Sequence, residues 1–183
     1  AKPNQNYARE LMELFILGTH NQSGIANYTN ADIAEVARAL TGLQVTETKV
    51  ESGAYANPHR RYDVATQSSS NPNFDAGIKT IFAGTSHQCT VTNADQLIDC
   101  LFQHPSASYF LADQIARHYL GTDLGRIDPA LIGAMASDLR SNGFNLVSTT
   151  KKLLMSAFFY ASQNRNTLLR SATERAVNLY RMF

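Results

Sequence analysis

The strongest constraint on this chain is a grammar that repeats along it: a residue able to cap a helix, an apolar stripe at three- and four-residue spacing, then a glycine or proline stop. Asn4 opens the first such segment and Gly18 closes it, with Ala8, Leu11, Met12, Leu14, Phe15, Ile16 and Leu17 between them. Apolar residues so dense cover more than one face, which predicts a central helix. Thr29 and Asp32 have the spacing of a capping box ahead of Ile33, Val36, Ala37 and Leu40, with Gly42 as the stop. Thr92 and Asp95 repeat that signal before Leu97, Ile98, Leu101 and Phe102. Pro105 suits the first turn of a fourth helix carrying Phe110, Leu111, Ile115 and Tyr119 up to Gly121, and Asp128 with Pro129 opens a fifth that ends at Gly143. Asn145 caps a sixth, and Leu168, Leu169, Ala172, Ala176, Leu179 and Tyr180 mark a seventh over residues 167–182.

Between residues 43 and 84 the period changes. Val45, Val50, Tyr62 and Val64 stand in short alternating runs, residues 67–73 form a Ser/Asn/Pro loop, and Ile78, Thr80 and Phe82 alternate with Lys79, Ile81 and Ala83. The expected fold class is therefore mainly α, a bundle-like domain of about seven helices with a small β-hairpin insertion near residues 43–84. At 183 residues, with 44% hydrophobic and 17% charged side chains, one domain with a sizeable core accounts for the whole chain.

Charge and motif content narrow the function. Sixteen basic and fifteen acidic residues nearly cancel, so no field exists to recruit nucleic acid, and no apolar run approaches the roughly 20 residues of a spanning helix. No nucleophile elbow, phosphate-binding loop, dinucleotide fingerprint or His-Glu-x-x-His helix occurs. His20, His59, His87, His104 and His118 show no metal-binding spacing, and Asn71-x-Asn73-x-Asp75 begins like a calcium loop but lacks its glycine and terminal glutamate. Neither a metal nor a cofactor is expected. Cys89 and Cys100 are too few for a disulfide scaffold and either form one bridge or stay as thiols. Asn21-Gln22-Ser23 and Asn27-Tyr28-Thr29 match the short glycan-acceptor pattern.

The charges that need explaining lie on the first two helices: Arg9, Glu10 and Glu13 on one, Glu35 and Arg38 on the other. Two carboxylates three residues apart share a helix face, and an arginine holding one ionised while burial raises the other would serve acid–base chemistry. The simpler reading is an interhelical ion-pair network, and it is preferred because packed helices gather structural ion pairs; beside the candidate acids, Arg9 and Glu35 are the candidate binding residues.

Residues 4–18, from Asn4 through the run Arg9-Glu10-Leu11-Met12-Glu13-Leu14-Phe15 to Gly18, resemble the opening of the conserved part of the bacterial family called domain of unknown function 1800. Tyr28 and Thr29 through Asp32, Ala37-Arg38-Ala39-Leu40-Thr41-Gly42, Asp75-Ala76-Gly77-Ile78-Lys79-Thr80 and His104-Pro105-Ser106-Ala107 are similar to its later motifs. Two positions depart from the pattern: Leu43 stands where the family usually has Trp, and Phe74 where His commonly precedes the Asp-x-Gly-x-Lys segment. The resemblance implies a longer exported protein of which this chain is a carboxy-terminal portion, an extracytoplasmic setting that favours the Cys89–Cys100 bridge, and no established activity.

Two functions follow as expectations. The first is a helical scaffold and interaction module of an exported bacterial envelope protein, packing against an amino-terminal region and binding an envelope protein or polysaccharide. The second is a hydrolase or lyase acting on an envelope or extracellular glycan, with Glu10 or Glu13 as acid or base, Arg38 orienting it, and Asp75 and Lys79 lining the pocket. Convergence of these five residues in an open cleft would favour chemistry.

Overall fold

The computed structural model describes residues 3–50, 59–121, 127–164, 177 and 180, with side chains at 45–66 and 163 outside that description. The chain is mainly α with small antiparallel ribbons, and it divides into two compact units, Ala1–His104 and Pro105–Phe183.

In the first unit, α1 (Gln5–Glu10) starts where expected, because the Asn4 side chain accepts from the Tyr7 N–H at 3.0 Å. It continues without a break into a π-helical turn, Leu11–Ile16, in which the Leu17 N–H reaches back five residues to the Met12 carbonyl at 2.8 Å. This double segment is not central. It buries Ala8, Met12, Ile16 and Leu17 on one side, while Tyr7, Leu14 and Phe15 are exposed. Its apolar circumference is wider than the surface its neighbours offer it.

Next, α2 (Asn30–Ala39) begins with the full capping box: the Asp32 N–H donates to Thr29 Oγ1, and the Thr29 N–H and hydroxyl donate to Asp32 Oδ2 at 2.8 and 2.7 Å. Asp32 is buried, and its other oxygen accepts from the Phe82 N–H at 2.7 Å, tying the helix start to a turn fifty residues away. An ionised carboxylate accepts all three bonds, whereas an amide has a single acceptor oxygen and bonds roughly half as strong. Asp32→Asn is therefore expected to lower stability by about 1–2 kcal/mol in urea unfolding with the folded spectrum retained.

The β region is two ribbons, where one hairpin insertion is expected. Strands β1 (Leu43–Val50) and β2 (His59–Gln67) pair antiparallel from Leu43 opposite Gln67 to Val50 opposite His59, with an irregularity between Gln44 and Thr46. Strands β3 (Lys79–Ile81) and β4 (Cys89–Val91) pair separately, Lys79 opposite Val91 and Ile81 opposite Cys89. Three pairs do not hold a ribbon together in water; burial of Ile81 and Val91 among the helices supplies what the ladder lacks. Beyond it, α3 (Ala94–Gln103) is capped by Asn93 and not by Thr92, with the Gln96 N–H donating to Asn93 Oδ1 while the Gln96 side-chain Oε1 accepts from the Thr92 N–H and hydroxyl.

The second unit holds α4 (Pro105–Leu120), α5 (Pro129–Ser141) and α6 (Leu146–Leu154), with Asp128 and Asn145 as the caps of the last two. Its core centres on Ala112, Ala116 and Leu120 of α4 against Ile132, Met135, Ala136 and Leu139 of α5. Small residues four apart thus face the core while the larger Leu111, Ile115 and Tyr119 flank it. Asp138 joins α5 to α6 by accepting from Thr149 Oγ1 at 2.6 Å and from Lys152. Six α-helices are described against the seven expected; the segment 167–182 lies outside the described residues apart from positions 177 and 180. No described helix is long and apolar enough to cross a membrane.

Candidate functional site

The carboxyl end of α2 organises the site. Its last carbonyls lack intrahelical donors, and side chains from the end of β2 and the loop after it supply them. Gln67 Nε2 donates to the Ala39 and Thr41 carbonyls at 2.8 and 2.6 Å, and Asn71 Nδ2 to that of Gly42 at 3.2 Å. Thr41 folds back to donate from its hydroxyl to the Arg38 carbonyl and accepts the Asp75 N–H at 2.9 Å. That last bond places Asp75 beside Arg38.

Arg38 then spans two carboxylates. Its Nε donates to Asp75 Oδ2 at 2.8 Å and its Nη1 to both oxygens of Glu35 at 2.9 Å. Gly77 donates its N–H to Asp75 Oδ1 at 2.8 Å, and a β-carbon at Gly77 would come within 3.0 Å of both Arg38 Nη2 and Asp75 Oδ1. The glycine of the Asp-x-Gly motif therefore makes room for the ion pair.

Lys79 completes the cluster from β3 and is wholly buried. Its ammonium donates to the Asp75 carbonyl and, at 3.2 Å, to the Thr92 carbonyl; it lies 3.6 Å from Asp75 Oδ1 and 5.6 Å from the centre of the Phe74 ring. Each of these contacts offsets part of the cost of burying a cation.

The Arg38 guanidinium and the Gly77 N–H hold the Asp75 carboxyl below its ordinary 3.8, at about 2, and the two carboxylates raise the pKa of Arg38. A carboxyl so held stays ionised and has no proton to deliver near neutral pH. Because its folded pKa is depressed, its contribution to stability is full above 3.8 and is lost as pH falls towards 2. Asp75→Asn is expected to flatten the acid limb of the stability–pH curve across that window, read by urea unfolding at a series of pH values.

Glu10 and Glu13 stand apart from this cluster. Glu10 is exposed and accepts from Asn6 Nδ2 at 2.9 Å, while Glu13 accepts from the Tyr28 hydroxyl at 3.5 Å. Burial, and after it the Glu13 charge, raises the Tyr28 pKa; Arg9 opposes the shift. Among the described residues, Arg38 is paired with Glu35 and Asp75 and not with an acid of α1. The π winding that follows Glu10 carries more residues per turn than an α-helix, so three-residue spacing no longer keeps Glu10 and Glu13 on one line. A shallow groove of about 730 Å³, lined by Pro3, Asn4, Gln5 and Ala34, reaches the cluster at Arg38.

The family model described as "Protein of unknown function (DUF1800)" matches residues 1–183. The chain belongs to this family. No curated protein and no solved structure matches it.

Within this DUF1800 chain the segments Ala37–Gly42 and Asp75–Thr80 meet in one cluster, where Arg38 bonds Asp75 across 37 positions of sequence. Phe74, which departs from the His of the resemblance, uses its ring against Lys79 and its β-carbon against Gly42. A disulfide joins Cys89 to Cys100, with Cα atoms 6.2 Å apart. Asn71 spends its side chain on Gly42 and on the Asn73 N–H, so the calcium-like stretch is a polar turn, and among the described residues no three His, Cys, Asp or Glu side chains gather as metal ligands. Asn27 is buried, with its amide nitrogen donating to the Leu17 and Gly18 carbonyls. Gln67 carries no signal in the sequence; Asn71 stands out there only as the first residue of the calcium-like stretch, and Gly77 only as part of a matched motif.

Proposed function

We propose that this chain is a helical scaffold and interaction module of an exported bacterial envelope protein, working outside the cytoplasm. The observation that carries the reading is the closure of the Glu35–Arg38–Asp75–Lys79 cluster: each charged group meets an opposite charge or a backbone carbonyl within the cluster. Groups committed in this way hold a loop against a helix; they are not poised to exchange protons. The exposed Tyr7, Leu14 and Phe15 on the outer side of the first helix support a partner there, and an amino-terminal region of the same protein or an envelope protein or polysaccharide fits the proposal. Retention of full-length protein on purified envelope polysaccharide or by envelope proteins in pull-downs, weakened by Phe15→Glu, is the expected result. No retention by either class of component sinks the proposal.

A second reading, turnover of an envelope or extracellular glycan, is favoured by the groove that admits solvent to Arg38. It requires Glu10→Gln or Glu13→Gln to abolish turnover by folded protein on a glycan panel.

A further inference from the structure

We propose that the Cys89–Cys100 disulfide is a redox-sensitive latch that keeps the Lys79 amine buried. The disulfide spans eleven positions, and Thr92, whose carbonyl receives the Lys79 ammonium, lies inside the ring it closes. At one end of the ring β4 contributes only three pairs to β3, and Lys79 is opposite Val91 in that ladder. The β3–β4 connection, residues 83–88, is exposed; it is held by bonds within itself, among them the Gly84 N–H to Gln88 Oε1 at 2.8 Å, and by the His87 ring against that of His104. What fixes the Thr92 carbonyl over Lys79 is thus the short ladder, the burial of Val91, the Thr92 and Asn93 contacts to Gln96, and the covalent link from Cys89 to the buried Cys100. Opening the link leaves the three-pair ladder, the burial of Val91 and the Gln96 contacts to hold β4 over a buried cation, and that cation gains hydration when the ribbon frays.

Cys89 is the more exposed sulfur. A thiolate of a small dithiol attacks its Sγ, the sulfur–sulfur bond breaks, and Cys100 leaves as a thiolate that takes up a proton. The reagent's second thiol then attacks the mixed disulfide, releasing Cys89 as a thiol and the reagent as a cyclic disulfide; two electrons and two protons pass from the dithiol to the protein.

The test is acylation of lysines by an amine-reactive ester, mapped by mass spectrometry with and without prior reduction by dithiothreitol. Lys79 labelling is expected to rise roughly a hundredfold on reduction, following the stabilisation that closing a ring of this size supplies, with helical circular dichroism unchanged and the exposed Lys152 labelled equally in both states. The variant with Cys89→Ser and Cys100→Ser should label at the reduced rate without any reductant. Flat Lys79 labelling after complete reduction overturns the proposal. So does loss of the helical signal on reduction, since the link would then support the whole fold and not this site.

Discussion

Gly42→Ala is expected to lower the stability of the chain by about 3 kcal/mol, as the sum of two costs that do not relax together. Gly42 ends the turn after α2 at φ +78, a region that an L side chain enters with strain. An added β-carbon would also stand 2.9 Å from Phe74 Cβ and 3.0 Å from Phe74 Cα. The second of these atoms is backbone, so no rotamer change relieves the contact. Nor can the loop retreat cheaply, since the Asn71 side chain bonds the Gly42 carbonyl, and the N–H of Asp75, next to Phe74, bonds Thr41, next to Gly42. Urea unfolding should show a lower midpoint with the slope kept. Phe74→Ala separates the two costs: placed in the Gly42→Ala background it removes only the ring, so a stability loss that persists identifies backbone crowding and strain.

This position also shows what could be read from the sequence and what could not. Gly42 was legible as a helix stop, as were the caps at Asn4, Thr29, Asp128 and Asn145, because each depends on groups within a few residues of itself. The cap of α3 was displaced by one residue because Thr92 and Asn93 both carry suitable oxygens, and the choice falls to Gln96, whose backbone bonds one and whose side chain bonds the other. The π turn had no counterpart in the pattern, since apolar residues on every side fit either winding. Strand alternation at 78–83 was visible, but alternation does not say which face is inward. Here Ile78 is exposed and Lys79 buried, the reverse of what hydrophobicity alone would choose. The five candidate residues divide for the same reason. Arg38, Asp75 and Lys79 come together through a loop held by Gln67 and Thr41, whereas Glu10 and Glu13, nearer in sequence to one another, find separate partners in Asn6 and Tyr28.

Lys79→Met puts the scaffold reading at risk and is expected to cost about 3 kcal/mol. The substitution keeps an unbranched chain of similar size, so packing against Phe74 survives and the loss is chiefly polar. The Asp75 and Thr92 carbonyls lose their charged donor, and each carbonyl left without one costs about 1–3 kcal/mol. Relief from burying a cation offsets part of that sum, which is why the expected figure lies below twice the single cost. Asp75 keeps Arg38 and Gly77 but loses the nearby positive charge, so its carboxyl should titrate closer to the ordinary range and the acid limb of the stability curve should move to higher pH. A lysine that served chemistry and not architecture would give the opposite result: unfolding of the variant would match the parent, with the acid limb in place. In that case the cluster would hold its shape without Lys79, and its buried amine would need a substrate to explain it.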